Sequence, residues 1–514
     1  MFWLDRIYGQ IEGELKGKIA SGKTLLVRDE KTASGRVHIG SMRALVLHAA
    51  IAERLDEAKV KNTFKFEIND MDPMDGLPVY LDKAVYEKEM GKPLYAIPSP
   101  DGKAKNFAEY FGAEYIEAIA LAGFTPELYR ATELYFSGKM NEAIRLVLDK
   151  ADAVRRVYKE VSGADRPSDW FALSVICENC GKIGTTKVSA WDGKEVTYTC
   201  YPTAVTWAVG CGHEGKVSPF DGKAKLPWKV EWAAKWFVLG VDVEGGGKDH
   251  YSKGGARDVA RHIATEVFGY PEPFGVANEF FLIAGKKMSS SKGEGVSAKK
   301  IVELVPNKIF RLALYGKDIN QQITFDPEGD TIPVLYDQYD KLAENYWEGK
   351  QDDYARLFTY IHPIKKSLFG KKRDIPSKQT LPRFSQVAFV VQMPHMDVYK
   401  EFPHANKTEL AERATYAKKW LDEYAPEKFV FKLQEVMPAV VLDSEQKQSL
   451  KVLAEFMEQS NPDAETLHAK LHELKIFKAI YLAFLGKESG PKAGWFLASL
   501  DRAFVLKRLH EASI

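Results

Sequence analysis

A strand-like run, Thr24-Leu25-Leu26-Val27-Arg28-Asp29, breaks into the small-residue turn Thr32-Ala33-Ser34-Gly35, and a helical pattern begins near His38. Met42, Leu45, Val46, Ala49 and Leu55 fall roughly on one face of that helix. Strand, glycine turn and helix in this order put a helix N-terminus over the end of a strand. Such a terminus carries unpaired N–H groups and a partial positive charge, which suits a polyphosphate. Within Ser34-Gly35-Arg36-Val37-His38-Ile39-Gly40, Gly40 lets a nucleotide approach the backbone, and His38 can donate to phosphate oxygens as they gain charge. The structural alternative is a capped core helix carrying a chance His-Ile-Gly.

Far downstream, the strand-like Phe280-Phe281-Leu282-Ile283 runs into a polar loop, Gly285 to Gly295, that contains Lys286-Lys287-Met288-Ser289-Ser290-Ser291-Lys292-Gly293. A loop of this kind is exposed and can close over a triphosphate, bringing Lys287 and Lys292 to bear as charge develops. Taken alone it reads as a solvated basic loop. A third string, Gly17-Lys18-Ile19-Ala20-Ser21-Gly22-Lys23-Thr24, matches a P-loop by letter but not by context. A P-loop follows a strand and opens a helix. Here a helical stretch marked by Ile7, Ile11 and Leu15 comes first and the strand comes after, so the P-loop reading is rejected.

Composition narrows the class. The 514 residues allow about three or four domains with a sizeable core. Net charge is +1, so no global basic field draws in nucleic acid, and any RNA contact must use local patches. No apolar run is long enough to cross a bilayer, and the N-terminus, with Asp5 and Arg6, lacks an apolar signal core. The four cysteines, gathered between positions 177 and 211, argue against a disulfide scaffold and for a cytoplasmic protein.

Residues 1–165 alternate strand and helix patterns, with a strand Phe64 to Asp70 and helices over Phe107 to Leu121 and Met140 to Val161. This predicts an open parallel sheet with ligands at the carboxyl ends of its strands, where the acidic turn Asp70-Met71-Asp72 also falls. Residues 166–225 turn short and β-like. There Cys177-Glu178-Asn179-Cys180-Gly181 forms a C-x₂-C knuckle, followed by Cys200 and by Cys211-Gly212-His213. Tetrahedral zinc needs four ligands, and five candidates exist: Cys177, Cys180 and Cys200, with Cys211 or His213. Buried free cysteines are the alternative. Residues 226–295 return to the α/β pattern, 296–340 connect, and 341–514 read as mostly helical, with loops at Gly370 to Pro376 and Glu488 to Gly494 and a helix from Phe496 to Leu509.

Together the two segments resemble the HIGH and KMSKS signatures of class I aminoacyl-tRNA synthetases. Along nearly its whole length the chain resembles the lysyl family of that class. Further support comes from Leu226-Pro227-Trp228-Lys229-Val230-Glu231-Trp232, Gly247-Lys248-Asp249-His250 and Leu497-Ala498-Ser499-Leu500-Asp501-Arg502. The resemblance implies an α/β fold: a Rossmann-type parallel-sheet catalytic domain with a zinc-ribbon-like insertion, then a stem-contact connector and an all-α anticodon-binding domain. It implies ATP with Mg²⁺, lysine and tRNA-Lys as substrates, a structural Zn²⁺, activation that needs bound tRNA, and no DNA partner. By position, Ser34, Gly35, His38, Gly40, Lys287, Met288 and Ser289 correspond to the ATP site, with His38, Gly40, Lys287 and Lys292 acting on the departing pyrophosphate. Thr32 and Trp228 correspond to lysine contacts, and Asp249 and His250 to the amino-acid and adenylate site. The chain departs from the family at Ala33, Ser41 and Asn278, where proline, asparagine and tyrosine are expected. Ser290 replaces the second lysine of the general KMSKS pattern, as in relatives of this family, and Lys292 supplies the missing charge.

A lysine substrate needs a negative or aromatic partner for its ammonium, and Glu30, Asp70, Asp72 and Glu231 are the available acids. Each pocket residue also has a structural reading: Trp228 and Trp232 as core aromatics, Asp249 as a turn acid, His250 as a satisfied histidine. Three rival functions remain at this level. They are a glutamyl-type synthetase, which needs a basic clamp, a non-catalytic tRNA-binding paralogue, and an adenylyl-transferring enzyme that uses no tRNA.

Overall fold

The computed structural model describes residues 1–285, 296–367, 370–393 and 396–514. Its chain divides into two units. The first comprises Met1–Glu303, Asn307–Phe325 and Gln351–Ile375, and the second Leu304–Pro306, Asp326–Lys350 and Pro376–Ile514.

The first unit is built on a parallel sheet. Strand β1 (Leu25–Thr32) leads through the glycine turn into helix α1 (Met42–Glu57), and the chain returns as β2 (Asn62–Asn69) beside β1. Strand β3 (Glu127–Arg130) then pairs in parallel with β2. On the other side of β1, Arg28 N donates to Val243 O at 2.9 Å and Val243 N to Leu26 O at 3.1 Å, and Val243 bridges Phe274 in parallel. The sheet order is therefore β3, β2, β1, the Val243 segment, the Phe274 segment. Helix α2 (Trp228–Leu239) precedes the Val243 segment, which ends in β4 (Gly246–Gly247) against β5 (Ala277–Asn278). Strand β6 (Phe281–Ile283) pairs in parallel with β7 (Ile323–Phe325).

A central parallel strand is normally an apolar run, because helices cover both faces. β1 breaks this rule: Arg28 and Asp29 are buried in it beside Leu25 and Val27. β2 does the same with Glu67. Arg28 and Glu67 are matched by buried partners of opposite charge, described below.

An antiparallel sheet of Thr186–Trp191, Val196–Cys200 and Glu214–Val217 holds Cys200 at the end of its middle strand; Cys177 and Cys180 precede it and Cys211 lies in the connection to its last strand. In the second unit, the regular elements among the described residues are helices. One of its cores gathers Leu450, Leu453, Leu471, Ile480, Phe484, Phe496 and Leu509. No helix among the described residues is long and apolar enough to cross a membrane.

Some elements differ from their sequence pattern. The helix expected from Met140 to Val161 is two, Asn141–Asp149 and Ala151–Ser162, broken where Lys150 leaves helical dihedrals (φ −107°, ψ 32°). The helix expected from Phe496 to Leu509 also divides. Leu500 is extended, and Asp501 starts Arg502–Ser513 by accepting from Phe504 N at 2.8 Å. Gly370–Arg373, expected as loop, pairs antiparallel with Ile364–Ser367. At the P-loop look-alike, helices Trp3–Glu14 and Lys16–Ala20 precede the strand, the reverse of a P-loop.

Candidate active site

The β1–α1 junction is tight. His38 is extended (φ −75°, ψ 155°), Ile39–Ser41 form one 3₁₀ turn, and α1 starts at Met42. A Cβ at Gly40 would lie 2.9 Å from His38 Nδ1 and 3.2 Å from Phe281 O, so only glycine lets the imidazole fold over this turn beside β6. Val296 O accepts from Ile39 N (3.2 Å), and Val37 O accepts from Ala298 N (2.8 Å). Thus Phe281 lies against the His-Ile-Gly segment, and Val296–Ala298 is hydrogen-bonded to it and to Val37. Lys287, Met288, Ser289 and Lys292 themselves lie outside the described residues.

Beside this junction is a cavity of about 430 Å³ at the carboxyl ends of the strands, lined by Glu30, Thr32, Trp228, Trp232, Gly247 and His250 among others. The His250 ring stands edge-on to both Trp228 and Trp232, with centroids 5.7 Å away in each case, and the two indoles stack at 6.3 Å. Trp232 is buried and Trp228 is 46 % exposed, so Trp228 presents a free aromatic surface. A Cβ at Gly247 would lie 2.7 Å from Asp249 Oδ1, which sets that carboxylate against the strand end.

Under the cavity runs a continuous chain of buried charges. Arg28 donates to Glu244 at 2.7 Å, to Glu67 at 2.8 Å, to the Tyr129 hydroxyl at 2.7 Å, and to Glu30. Lys235, on α2, donates to Glu67 at 2.6 Å and Glu30 at 3.0 Å, and lies 3.3 Å from Glu231. Lys225 pairs with Glu231 at 2.6 Å and Asp72 at 2.8 Å, and Asp72 accepts from Thr32 Oγ1 at 2.6 Å. Three cations (Arg28, Lys225, Lys235) thus face five carboxylates (Glu30, Glu67, Glu231, Glu244, Asp72). The surplus is negative. Although burial opposes it, Lys235 and Arg28 together hold the Glu30 carboxyl well below the usual carboxylate range. Glu30 therefore stays ionised on the cavity wall.

Of the acids considered from sequence, Glu30 and Asp72 line cavities and Glu231 lies beneath them. Asp70 is not brought there. It is buried, and its carboxylate accepts from Thr132 N (2.9 Å) and Thr132 Oγ1 (2.7 Å). Asn278 is also buried. Its Nδ2 donates to Glu279 O at 3.1 Å, while its Oδ1 has no partner among the described residues. Sequence reasoning missed Glu67, Lys225, Lys235, Glu244 and His48. The available signal was a charge inside an apolar pattern, as with Lys235 in Trp232-Ala233-Ala234-Lys235-Trp236. His48 Nε2 accepts from Gly245 N at 2.7 Å, which puts the ring proton on Nδ1, facing Ala44 O at 2.8 Å and Asp29 at 3.4 Å. Burial opposes a charge on this ring and Asp29 favours it, and the contacts on the two ring nitrogens fix the strand entering β4.

The Sγ atoms of Cys177, Cys180, Cys200 and Cys211 all lie within 4.8 Å of one another. Two of the separations are 3.6 Å (Cys177–Cys211) and 3.8 Å (Cys180–Cys200). Four thiolates about 2.3 Å from a tetrahedral zinc stand about 3.8 Å apart, so this donor set fits that ion. The His213 ring instead lies against Tyr198, with centroids 6.0 Å apart.

A family model described as tRNA synthetases class I (K) matches residues 1–365. A lysine–tRNA ligase of Methanosarcina barkeri (strain Fusaro) is 34% identical, with 96% of this chain and 95% of the relative covered. One from Methanocaldococcus jannaschii is 30% identical, with 99% of each covered. Among solved structures, a glutamate tRNA ligase from Elizabethkingia meningosepticum is 14% identical with a TM-score of 0.46, over 96% of this chain and 99% of that one. The chain belongs to the class I (K) family of tRNA synthetases.

Proposed function

We infer that this protein is a lysine–tRNA ligase, which activates lysine with ATP and transfers it to tRNA-Lys. The observation that carries the amino-acid assignment is the surplus of carboxylates under an aromatic-walled cavity. An ammonium is attracted by both features. A glutamyl-type enzyme needs a free basic clamp; here Arg28, Lys225 and Lys235 are each committed to carboxylates, and burial pushes the ammonium of Lys31, on the cavity wall, down against the opposing charge of Asp29.

In this reading Thr32, Trp228, Asp249 and His250 hold lysine and its adenylate, with Glu30 as the acid nearest the ammonium. Ser34, Gly35, His38 and Gly40 hold ATP, joined by Lys287, Met288 and Ser289. The lysine carboxylate attacks the α-phosphorus, and pyrophosphate departs with its charge met by His38, the α1 N-terminus, Lys287 and Lys292. Positioning and charge stabilisation do the work, with no covalent protein intermediate. A ribose hydroxyl of the terminal adenosine then attacks the carbonyl carbon of lysyl-adenylate and AMP leaves. The helical second unit reads unpaired anticodon bases by stacking and edge hydrogen bonds. Cys177, Cys180, Cys200 and Cys211 hold a structural zinc, which braces the insertion and takes no part in the chemistry.

The test is pyrophosphate exchange with Mg-ATP and either lysine or glutamate, with and without tRNA. Lysine-dependent exchange that requires tRNA is expected. Glutamate-dependent exchange would overturn the pocket assignment, and no exchange with either amino acid would favour a tRNA-binding paralogue.

A further inference from the structure

A second cavity, of about 410 Å³, adjoins the first and shares Thr32 and Trp228 with it. Its remaining walls come from two sources. Asp72, Asp75 and Lys225 belong to the sheet end and the segment before α2, while Ile183, Gly184 and Trp207 belong to the cysteine-bearing module. Trp207 lies in the loop between Cys200 and Cys211.

That loop is held at its neck and at its tip. At the neck, Tyr201 N donates to Thr185 O at 2.9 Å, and a Cβ at Gly210 would lie 2.4 Å from Tyr201 O, so the two ends of the loop touch. At the tip, a Cβ at Gly184 would lie 2.5 Å from Trp207 Cη2 and 3.3 Å from Pro73 Cβ, so the indole edge rests on bare backbone. Gly184 N and Ile183 N both donate to Gly91 O, at 3.0 and 2.7 Å, which bolts this part of the module to the sheet unit. The indole itself is only half-buried.

The chemistry of the walls selects the occupant. Asp72 is already paired with Lys225 and accepts from Thr32. Asp75 adds negative charge, which disfavours a phosphate and favours hydroxyl and amine donors. An indole face suits a nucleobase. The opening at Thr32 and Trp228 is where the lysyl carbonyl must meet its acceptor. We propose that this chamber receives the terminal adenosine of the tRNA, with its base against Trp207 and its ribose at the Thr32–Trp228 opening. The proposal rests on the lysine–tRNA ligase reading. The ribose oxygen forms the ester bond to the carbonyl carbon, the carbonyl–phosphate bond breaks, and the hydroxyl proton leaves with AMP on a phosphate oxygen. Trp207 positions the acceptor and takes no part in bond making.

The experiment compares wild type, Trp207→Ala and Trp207→Phe on three readouts. These are affinity for a non-reactive lysyl-sulfamoyl-adenosine, single-turnover transfer to tRNA, and quenching of 2-aminopurine placed at the terminal position of the tRNA. Stacking on one aromatic corresponds to about tenfold or more. Trp207→Ala is expected to lower transfer by about that factor. It should also abolish the quench and leave analogue affinity within about twofold, and Trp207→Phe should restore both losses. If Trp207→Ala melts early, Trp207→Leu keeps the apolar seat on Gly184 and removes the aromatic face. Analogue affinity falling in step with transfer would assign the chamber to the adenylate and overturn the proposal, as would unchanged transfer and quench. A wild-type protein inert towards lysine would instead remove the reading beneath it, and is distinguished by the absence of pyrophosphate exchange.

Discussion

Lys235 Nζ donates to Glu67 Oε1 across 2.6 Å, and neither side chain has exposed surface. The same ammonium also holds Glu30 and Glu231. Removing it leaves the buried Glu67 and Glu231 and the part-exposed Glu30 each one cation short, with only Arg28 or Lys225 still facing them. Breaking a buried pair from one side costs about 3–5 kcal/mol, because the remaining charge is left uncompensated. Lys235→Met is expected to destabilise by at least that much, and calorimetric melting of the full chain measures it. The double substitution Lys235→Met with Glu67→Gln should recover part of the loss. A variant that melts within about 1 °C of wild type would show that the pair is not stabilising.

Trp228 is a different case. It is half-exposed, touches His250 and Trp232, and borders both cavities. Trp228→Ala removes little core packing but takes an aromatic face from the ammonium. A desolvated cation–π contact contributes about 2 kcal/mol. The expected result is a lysine KM raised about 10- to 30-fold with little change in melting temperature, and substantial recovery in Trp228→Phe. A large thermal loss with unchanged lysine KM would make Trp228 a packing residue.

Acid should weaken the first unit through two groups. His362 is buried, and burial, with the nearby cations Lys308, Arg311 and Arg373, holds its imidazole down to about 4. An unfolded histidine titrates near 6.5. Between these values the unfolded chain binds a proton that the folded chain refuses. Stability is therefore complete above about pH 6.5 and falls as pH drops towards 4, by up to about 3 kcal/mol. The Glu30 carboxyl, held low by Lys235 and Arg28, adds loss in the same direction below the ordinary carboxylate range. Chemical denaturation at pH 7, 6 and 5 checks the first window. His362→Gln should flatten it, and an unchanged slope in that variant would exclude this histidine.

The β1–α1 junction was legible in sequence because strand, glycine turn and helix are local patterns, each with its own periodicity. The cysteine set was legible for the same reason at the first knuckle, where Cys177 and Cys180 are close in sequence. The fourth ligand candidate was not, since Cys211 and His213 differ only in how the chain folds back after Cys200. The charge network was invisible for a stronger reason: Arg28, Glu67, Lys225, Lys235 and Glu244 come from five separate segments, and only the fold around the parallel sheet brings them together. Asp70 shows the converse. An acidic turn at a strand end reads as a ligand, yet the capping needs of the next helix, starting at Ala131, claim its carboxylate.

The cysteine module supplies the last prediction. Cys177, Cys180, Cys200 and Cys211 present four sulfurs at separations that suit tetrahedral zinc, and His213 is turned against Tyr198. Purified protein is expected to carry one zinc per chain by elemental analysis. Cobalt exchange should give the intense charge-transfer bands of a thiolate-rich tetrahedral site. Cys211→Ser should lose the metal at equilibrium with a mild chelator, whereas His213→Ala should keep it. A bound metal stabilises folding by its own affinity, so chelation should lower the melting temperature of wild type and hardly move that of Cys211→Ser. Retention in Cys211→Ser with loss in His213→Ala would place the histidine in the coordination sphere. The chain after Cys200 would then have to rearrange from the geometry seen here.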